Sequence, residues 1–243
     1  MTHRLAIDAQ IFEQFPDYQA LILYGEEVKN FPSTQESIAL LRSAEQECRN
    51  MFTLETLAQH PHIAAWRDAY RRFGAKPKKY PCSVEALLQR TLKGQDLPAI
   101  NGIVDLYNML SLKYVLPVGG EDWSKLTSDL RLTSAQGHEP FLTTSGGQEQ
   151  VTYPDPGEIV WADEAGVTCR RWNWRQGRRT QLTEETHSMY FVLDRLALYP
   201  TETLLAAGEE LKEHLLRWFP SCSLTTDLLS ETHHQVLWPG ACL

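Results

Sequence analysis

No uninterrupted apolar run approaches the roughly 20 residues that a helix needs to cross a bilayer, so no membrane partner is expected. Met1-Thr2-His3-Arg4 leads into no apolar segment of the secretory kind, which points to the cytoplasm. Cysteine is sparse and odd in number: Cys48, Cys82, Cys169, Cys222 and Cys242, none in a C-x-x-C pair. That excludes a disulfide framework and a Cys-rich zinc site. The eight histidines contain no H-E-x-x-H, and His60-Pro61-His62 and His233-His234 read as surface residues. Phosphate-binding loops are missing too, because Gly119-Gly120 lacks the spacing of a Walker or dinucleotide loop. No cofactor is expected. There is no serine-hydrolase elbow, since Ser145-Gly146-Gly147 falls in a Gly/Ser turn, and no cysteine has an identifiable His partner.

A basic excess is also lacking. Lys and Arg number 23 against 31 Asp and Glu, a net charge of −8. Tight non-specific binders of nucleic acid usually neutralise phosphates with a surplus of cations. Any RNA contact must therefore come from local patches. Two exist, Arg71-Arg72…Lys76…Lys78-Lys79 and Arg170-Arg171…Arg175…Arg178-Arg179, and each taken alone reads first as a solvated face, the usual fate of a charge run.

What is present is ordinary globular material, 42% apolar and 22% charged over 243 residues, enough for one large core or two small ones. Residues 18–29 begin with an apolar run that reads as a buried strand. Helical spacing then runs from Ser33-Thr34 to about residue 59, with Thr53 as the cap of a separate second helix. Further helices are expected over 63–73, over 83–94 with Ser83 as cap, and over 101–114. From 128 to 197 short apolar segments alternate with turn residues (130–133, 158–163, 167–172 and 188–194), the pattern of an antiparallel sheet. A helix over 201–219 and a strand-like piece over 221–229 complete the chain. Helices early, strands late and no long linker predict a single α+β domain spanning 1–243.

The helix over 101–114 carries the first chemistry. Asn101, Asp105 and Asn108 fall at i, i+4 and i+7, so a helix would bring them onto one stripe. Such a stripe satisfies itself in a core or faces a polar ligand, and Asn101 also fits as the N-cap. Around Arg170-Arg171-Trp172-Asn173-Trp174-Arg175, strand alternation would put Arg171, Asn173 and Arg175 on one face and Arg170, Trp172 and Trp174 on the other. The tryptophans fit a stacking platform for a terminal adenine with Arg heads on phosphate, or a buried core face. On the helix over 63–73, Trp66, Arg67 and Tyr70 share a face that could wall a pocket, with Trp66 the best core member. Glu85 and Arg90 read as a helix-surface pair, and Thr183–Thr186 as a turn without chemistry.

The string Ile100-Asn101-Gly102-Ile103-Val104-Asp105-Leu106-Tyr107-Asn108, with Pro117 and Asp122 beyond it, resembles the P-I-N-N-V-V-D-x-T-N-Y…Q-P-x-H-A-F-D segment of the phenylalanyl-tRNA synthetase β subunit, in its paired third and fourth domains. Gly157–Asp163 followed by Thr183–Thr186 is similar to L-V-I-A-D…G-G-E…V-T-E-E-T of the same family, in the same order. The resemblance covers about residues 60–220 and is dense only in 97–122 and 157–186. It implies a layered α+β fold that hydrolyses wrongly charged tRNA, here as a free-standing domain. It assigns Asn108 to the amino-acid pocket, puts Tyr107 in place of a pocket Thr, and puts Gly119 where bacterial synthetases have His. The G-G-E stretch aligns loosely with Trp174–Gly177, where no Glu remains, so the implied pocket accepts another amino acid than tyrosine.

An activated ester of this kind needs a positioned water and oxyanion donors, for which Asn108, Asn173 and backbone N–H groups near Gly119-Gly120 are candidates. Asp105 and Glu158 are candidates for orienting the water. Asn101, Tyr107, Gly119, Glu158, Arg171, Trp172, Trp174 and Arg175 are the expected substrate contacts. The expected partners are the aminoacylated 3′ end of a tRNA, its small amino-acid moiety, and a synthetase that delivers it. Two rival readings share the pocket: a non-catalytic amino-acid or aminoacyl-tRNA adaptor, and a small-molecule hydrolase or binder that uses no RNA.

Overall fold

The structure, a computed structural model, describes residues 2–239, so Cys242 lies outside the described residues. In chain order the elements are β1 (Thr2–Ile7), α1 (Ala9–Gln14), β2 (Gln19–Glu26), α2 (Gln35–Met51), α3 (Leu54–Leu57), α4 (Pro61–Arg72), α5 (Ser83–Leu92), α6 (Gly102–Tyr114), β3 (Val118–Asp122), β4 (Leu130–Ser134), β5 (Phe141–Ser145), β6 (Gln148–Thr152), β7 (Ile159–Asp163), β8 (Gly166–Arg170), β9 (Arg175–Gln176), β10 (Ser188–Arg195), α7 (Thr201–Trp218), β11 (Ser223–Leu229) and β12 (Gln235–Pro239). The architecture is α+β, with helices packed on antiparallel and mixed sheets. No helix among the described residues is long and apolar enough to cross a membrane.

One sheet runs β12-β1-β4-β7-β8-β9 and is antiparallel except for the β1–β4 pair; a second runs β11-β2-β10-β3; β5 and β6 form a hairpin. β2 and β10 are the apolar runs legible in the sequence, and they pair over eight residues from Gln19↔Arg195 to Glu26↔Ser188. Strands near the start of the chain thus pair with strands near its end, and the helices are inserted between them. The expected order of helices first and strands last misses this, because β1, α1, β3 and β12 are too short to stand out by periodicity. The hairpin β5–β6 is missed for another reason: its outer strand β6 buries almost nothing and shows no apolar alternation.

Local chemistry explains most helix ends. Thr34 and Thr53 each cap a helix through a reciprocal bond with the residue three further on. Asn101 caps α6, its Oδ1 accepting the Val104 N–H at 2.9 Å. The residue after that cap must be glycine on packing grounds, since a Cβ at Gly102 would stand 2.2 Å from the Phe31 ring. Ser83 does not cap α5: Cys82 holds that position, and the Ser83 hydroxyl is buried without a hydrogen-bond partner among the described residues.

Two further expectations are corrected. Glu85 is buried and takes Arg67 of α4 at 2.9–3.2 Å, while Arg90 donates to the Asp96 carbonyl, so they form no surface pair. His62 is also buried: Nδ1–H donates to the Val115 carbonyl at 2.9 Å, and Nε2 accepts from the Trp66 indole at 3.0 Å. Burial pushes its pKa down to about 4, which keeps the ring neutral.

Candidate functional site

A cavity of about 240 Å³ opens between one face of the β2/β10/β3 sheet, the helices α5 and α6, and the segment from β8 into β9. Its floor follows from strand alternation. Tyr190, Val192 and Asp194 of β10 point the same way, and Gly119 and Glu121 of β3 lie directly across from Val192 and Tyr190. Tyr107 and Asn108 of α6, Ser83, Ala86 and Leu87 of α5, and Trp161 and Cys169 of β7 and β8 supply the walls. The volume suits an amino-acid-sized guest rather than a drug-sized one, for which pockets run to roughly 300–1,000 Å³.

The lining is mostly apolar, with its polar groups arranged in two sets. In the first, Asp194 is fully buried and accepts the Tyr18 hydroxyl on Oδ1 at 2.6 Å and the Asn173 amide on Oδ2 at 3.1 Å. Asn173 Oδ1 in turn accepts the Tyr70 hydroxyl at 2.9 Å. Burial without a cation raises the Asp194 pKa to about 6 against those two hydrogen bonds, which work to lower it. In the second set, Glu121 accepts Thr180 Oγ1–H at 2.6 Å and the Tyr190 hydroxyl at 2.8 Å, both on Oε2, and burial pushes its pKa upward as well. The cavity therefore holds two buried carboxyls with no ion-pair partner among the described residues, a setting that favours a guest bringing a positive charge or hydrogen-bond donors. Cys169 also borders the cavity, but burial raises its thiol pKa, so it holds no thiolate nucleophile at neutral pH.

The expected site residues divide sharply. Tyr107, Asn108, Gly119, Trp172, Asn173, Trp174 and Arg175 all border this one cavity. Asn108 is half-buried, and no hydrogen bond ties its carboxamide to the described residues. Gly119 leaves the space for Gln176, whose Nε2 would stand 2.9 Å from a Cβ there and donates to the Gly120 carbonyl at 3.0 Å.

Asn101, Asp105, Glu158 and Arg171 lie outside the cavity wall. As an N-cap, Asn101 has extended backbone and so cannot continue the helical stripe. Asp105 is fully buried, accepting the Ile100 N–H at 3.1 Å and the Ser37 hydroxyl at 2.8 Å, which ties α6 to α2. Only Asn108, one turn further on, reaches the cavity. Glu158 is buried under two arginines: Arg170 holds it through two bonds at 2.7–2.8 Å, and Arg171 lies 3.3 Å away.

The strand expected over 170–175 is broken. Arg171 and Trp172 have φ of 48° and 65°, two consecutive left-handed residues that are not glycine. Such backbone is costly and must be held in place. Glu158 accepts the Arg171 N–H at 3.2 Å, and Trp172 N–H donates to the Ile159 carbonyl at 2.6 Å. The turn separates the tryptophans that alternation had put on one face. Trp172 is completely buried, edge-on to Phe15, Tyr18 and Trp66 at 4.8–5.2 Å, so it is no stacking platform. Trp174 stays partly exposed and meets Tyr80 at 4.9 Å and Arg175 at 4.6 Å. Arg171 is buried beneath both rings, 3.8 Å from Tyr80 and 4.7 Å from Trp174.

Sequence reasoning missed Ser83, Glu121, Trp161, Gln176, Tyr190 and Asp194. The available signal lay in polar residues at inward positions of apolar strands, Asp194 near the end of β10 and Glu121 in β3. Reading it required knowing that β3 pairs with β10.

No curated protein matches the chain. Among solved structures it is similar to an N-terminal fragment of the phenylalanyl-tRNA synthetase β subunit from Pyrococcus horikoshii, at 9% identity and a TM-score of 0.45 over 90% of this chain. The chain spans about half, 49%, of that fragment. The B3/4 domain matches residues 65–198, more than half of the sequence, and every residue lining the cavity falls inside that segment. The chain belongs to the B3/4 domain family.

Proposed function

We propose that the protein is a trans-editing hydrolase that deacylates misacylated aminoacyl-tRNA, with the amino-acid moiety in the cavity floored by β3 and β10. The observation that carries this reading is the coincidence of that amino-acid-sized cavity with the B3/4 segment, with donors and carboxyls converging in it. The α-ammonium of an aminoacyl group is the kind of donor that Glu121 leaves unmet. The Asn108 carboxamide, the unpartnered Ser83 hydroxyl and the Asn173 amide are the donors for the ester carbonyl. In the reaction, water oxygen bonds to the carbonyl carbon, the ester C–O bond breaks, and the departing ribose oxygen takes a proton. With a pKa of about 6, Asp194 is largely ionised at neutral pH and suits the role of proton acceptor for that water.

The test is deacylation of a panel of mischarged tRNAs by the purified protein. Hydrolysis of at least one member well above the buffer blank is expected, and no hydrolysis of any member rejects the enzyme reading. A second reading, binding of an amino acid or aminoacylated end without turnover, is favoured by the absence of any histidine or thiolate from the described cavity wall. Retention of charged over uncharged tRNA with no deacylation would decide for it.

A further inference from the structure

The two basic patches legible in the sequence have opposite fates in the fold. Around the second, Arg170 and Arg171 are buried on Glu158, Arg179 pairs with Asp163 and Arg178 with Glu149. Its cations are spent on the protein's own carboxylates, apart from Arg175 at the cavity wall. The first patch runs from the last turn of α4 into the loop before α5, in a stretch from Ala69 to Val84 that contains no acidic residue. Arg72 there pairs with Asp68 across a helical turn, but Arg71, Lys76, Lys78 and Lys79 are exposed and make no ion pair among the described residues. Gly74 and Pro77 leave no helix for the three lysines, which line a shallow groove together with Arg71, Ala75 and Pro77.

This strip is joined to the cavity by a run of ring and cation contacts. Lys79 Nζ lies 5.0 Å from the Tyr80 ring, Tyr80 meets Trp174 at 4.9 Å, and Arg175 lies 4.6 Å from Trp174. Trp174 and Arg175 border the cavity. Arg171, clamped beneath both rings, holds this path rather than reaching solvent. On a protein of net charge −8, a run of unpaired cations that continues into partly exposed aromatics is the combination a single nucleic-acid strand needs: phosphate neutralisation followed by base stacking.

We infer that the 71–80 segment is the docking track for the single-stranded end of an RNA, with Arg71, Lys76, Lys78 and Lys79 on phosphates and Tyr80 and Trp174 stacking the terminal bases before the cavity. The inference rests on the proposed reading that an aminoacylated RNA end enters that cavity. Charge complementarity commits the strip to a polyanion, and the adjoining aromatic pair selects a nucleic-acid strand.

The test measures binding of a fluorescein-labelled 12-nucleotide single-stranded RNA by anisotropy from 50 to 200 mM salt. Three proteins are compared: the wild type, an Arg71→Gln/Lys76→Gln/Lys78→Gln variant, and an Arg131→Gln/Arg178→Gln/Lys212→Gln variant with the same loss of charge elsewhere. The strip variant should bind at least 10-fold more weakly at 50 mM salt. Its log–log salt slope should fall by about 2, from roughly 0.7 for each phosphate no longer neutralised. The second variant should stay within 3-fold of wild type. Equal weakening in both variants, or no measurable RNA binding by the wild type, overturns the track. If binding behaves as expected but no mischarged tRNA is deacylated, the track stands and the hydrolase reading falls.

Discussion

At the scale of single residues, the cavity separates groups that hold the fold from groups left free for chemistry. Ser83 borders the cavity and its buried hydroxyl has no hydrogen-bond partner among the described residues, so its removal forfeits no described intramolecular bond. Ser83→Ala should change stability by no more than about 0.5 kcal/mol. If the hydroxyl meets the ester, kcat/KM should fall roughly 10-fold, as expected for one lost hydrogen bond. Urea midpoints and single-turnover deacylation of the same preparation check both halves. Asn108→Ala should follow the same pattern, since no described residue bonds its carboxamide. An unchanged deacylation rate in Asn108→Ala would make that residue a bystander of the wall. Asp105 is the contrast: its two buried hydrogen bonds make Asp105→Ala a stability variant, at a cost of roughly 1–3 kcal/mol.

At the scale of elements, the segment from β8 to β9 decides where the tryptophans go. Two consecutive left-handed residues turn the chain, and the Glu158 carboxylate holds the turn through the Arg170 and Arg171 side chains and the Arg171 N–H. Glu158→Gln leaves the Arg170 cation without its anion and Arg171 with only the exposed Asp155 carboxylate at 3.4 Å. The expected cost is roughly 3–5 kcal/mol, as for other broken buried ion pairs. Trp174 fluorescence should shift as the Tyr80–Trp174 contact loosens. A variant as stable as wild type would show that the turn is held by the Trp172 packing alone. Alternation along 170–175 could not reveal this, because periodicity assumes a regular backbone. By contrast, the caps at Thr34, Thr53 and Asn101 were legible, since a cap is a bond between near neighbours in sequence.

For the whole molecule, the buried titratable groups set how stability responds to pH. Asp194 has its pKa raised from 3.8 to about 6, so the folded state keeps a proton that the unfolded chain has released. That contribution is complete below about pH 4 and is lost as pH rises through 6, a swing of roughly 3 kcal/mol. His62, lowered from 6.5 to about 4, acts oppositely: its contribution is complete above 6.5 and is lost as pH falls toward 4. Between pH 4 and 6 the two slopes oppose each other. Asp194→Asn removes one of them, so the variant should gain on wild type by up to roughly 3 kcal/mol between about pH 4 and pH 7. Chemical denaturation at both pH values measures it, and a wild-type-to-variant difference that does not change with pH refutes the assignment.

What the sequence by itself determined is local or strongly periodic. The long helices, the β2 and β10 runs, the α+β class and the likeness to the B3/4 domain family rest on neighbours within a few residues or on contiguous motifs. In the candidate site, Asn108, Tyr107, Gly119, Asn173 and the 174–175 pair were legible, because they sit in or beside those motifs. Only the tertiary structure decided that Asp105 and Glu158 bond inside the protein, that Trp172 is buried while Trp174 stays partly exposed, and that Glu121 and Asp194 share one cavity with Ser83. Those outcomes depend on β3 pairing with β10 and on the meeting of residues tens to more than a hundred positions apart. Only the fold, too, paired most of one basic patch and left Arg71, Lys76, Lys78 and Lys79 of the other without an ion pair among the described residues: a cation's partner is chosen by distance in space, which charge counted along the chain does not contain.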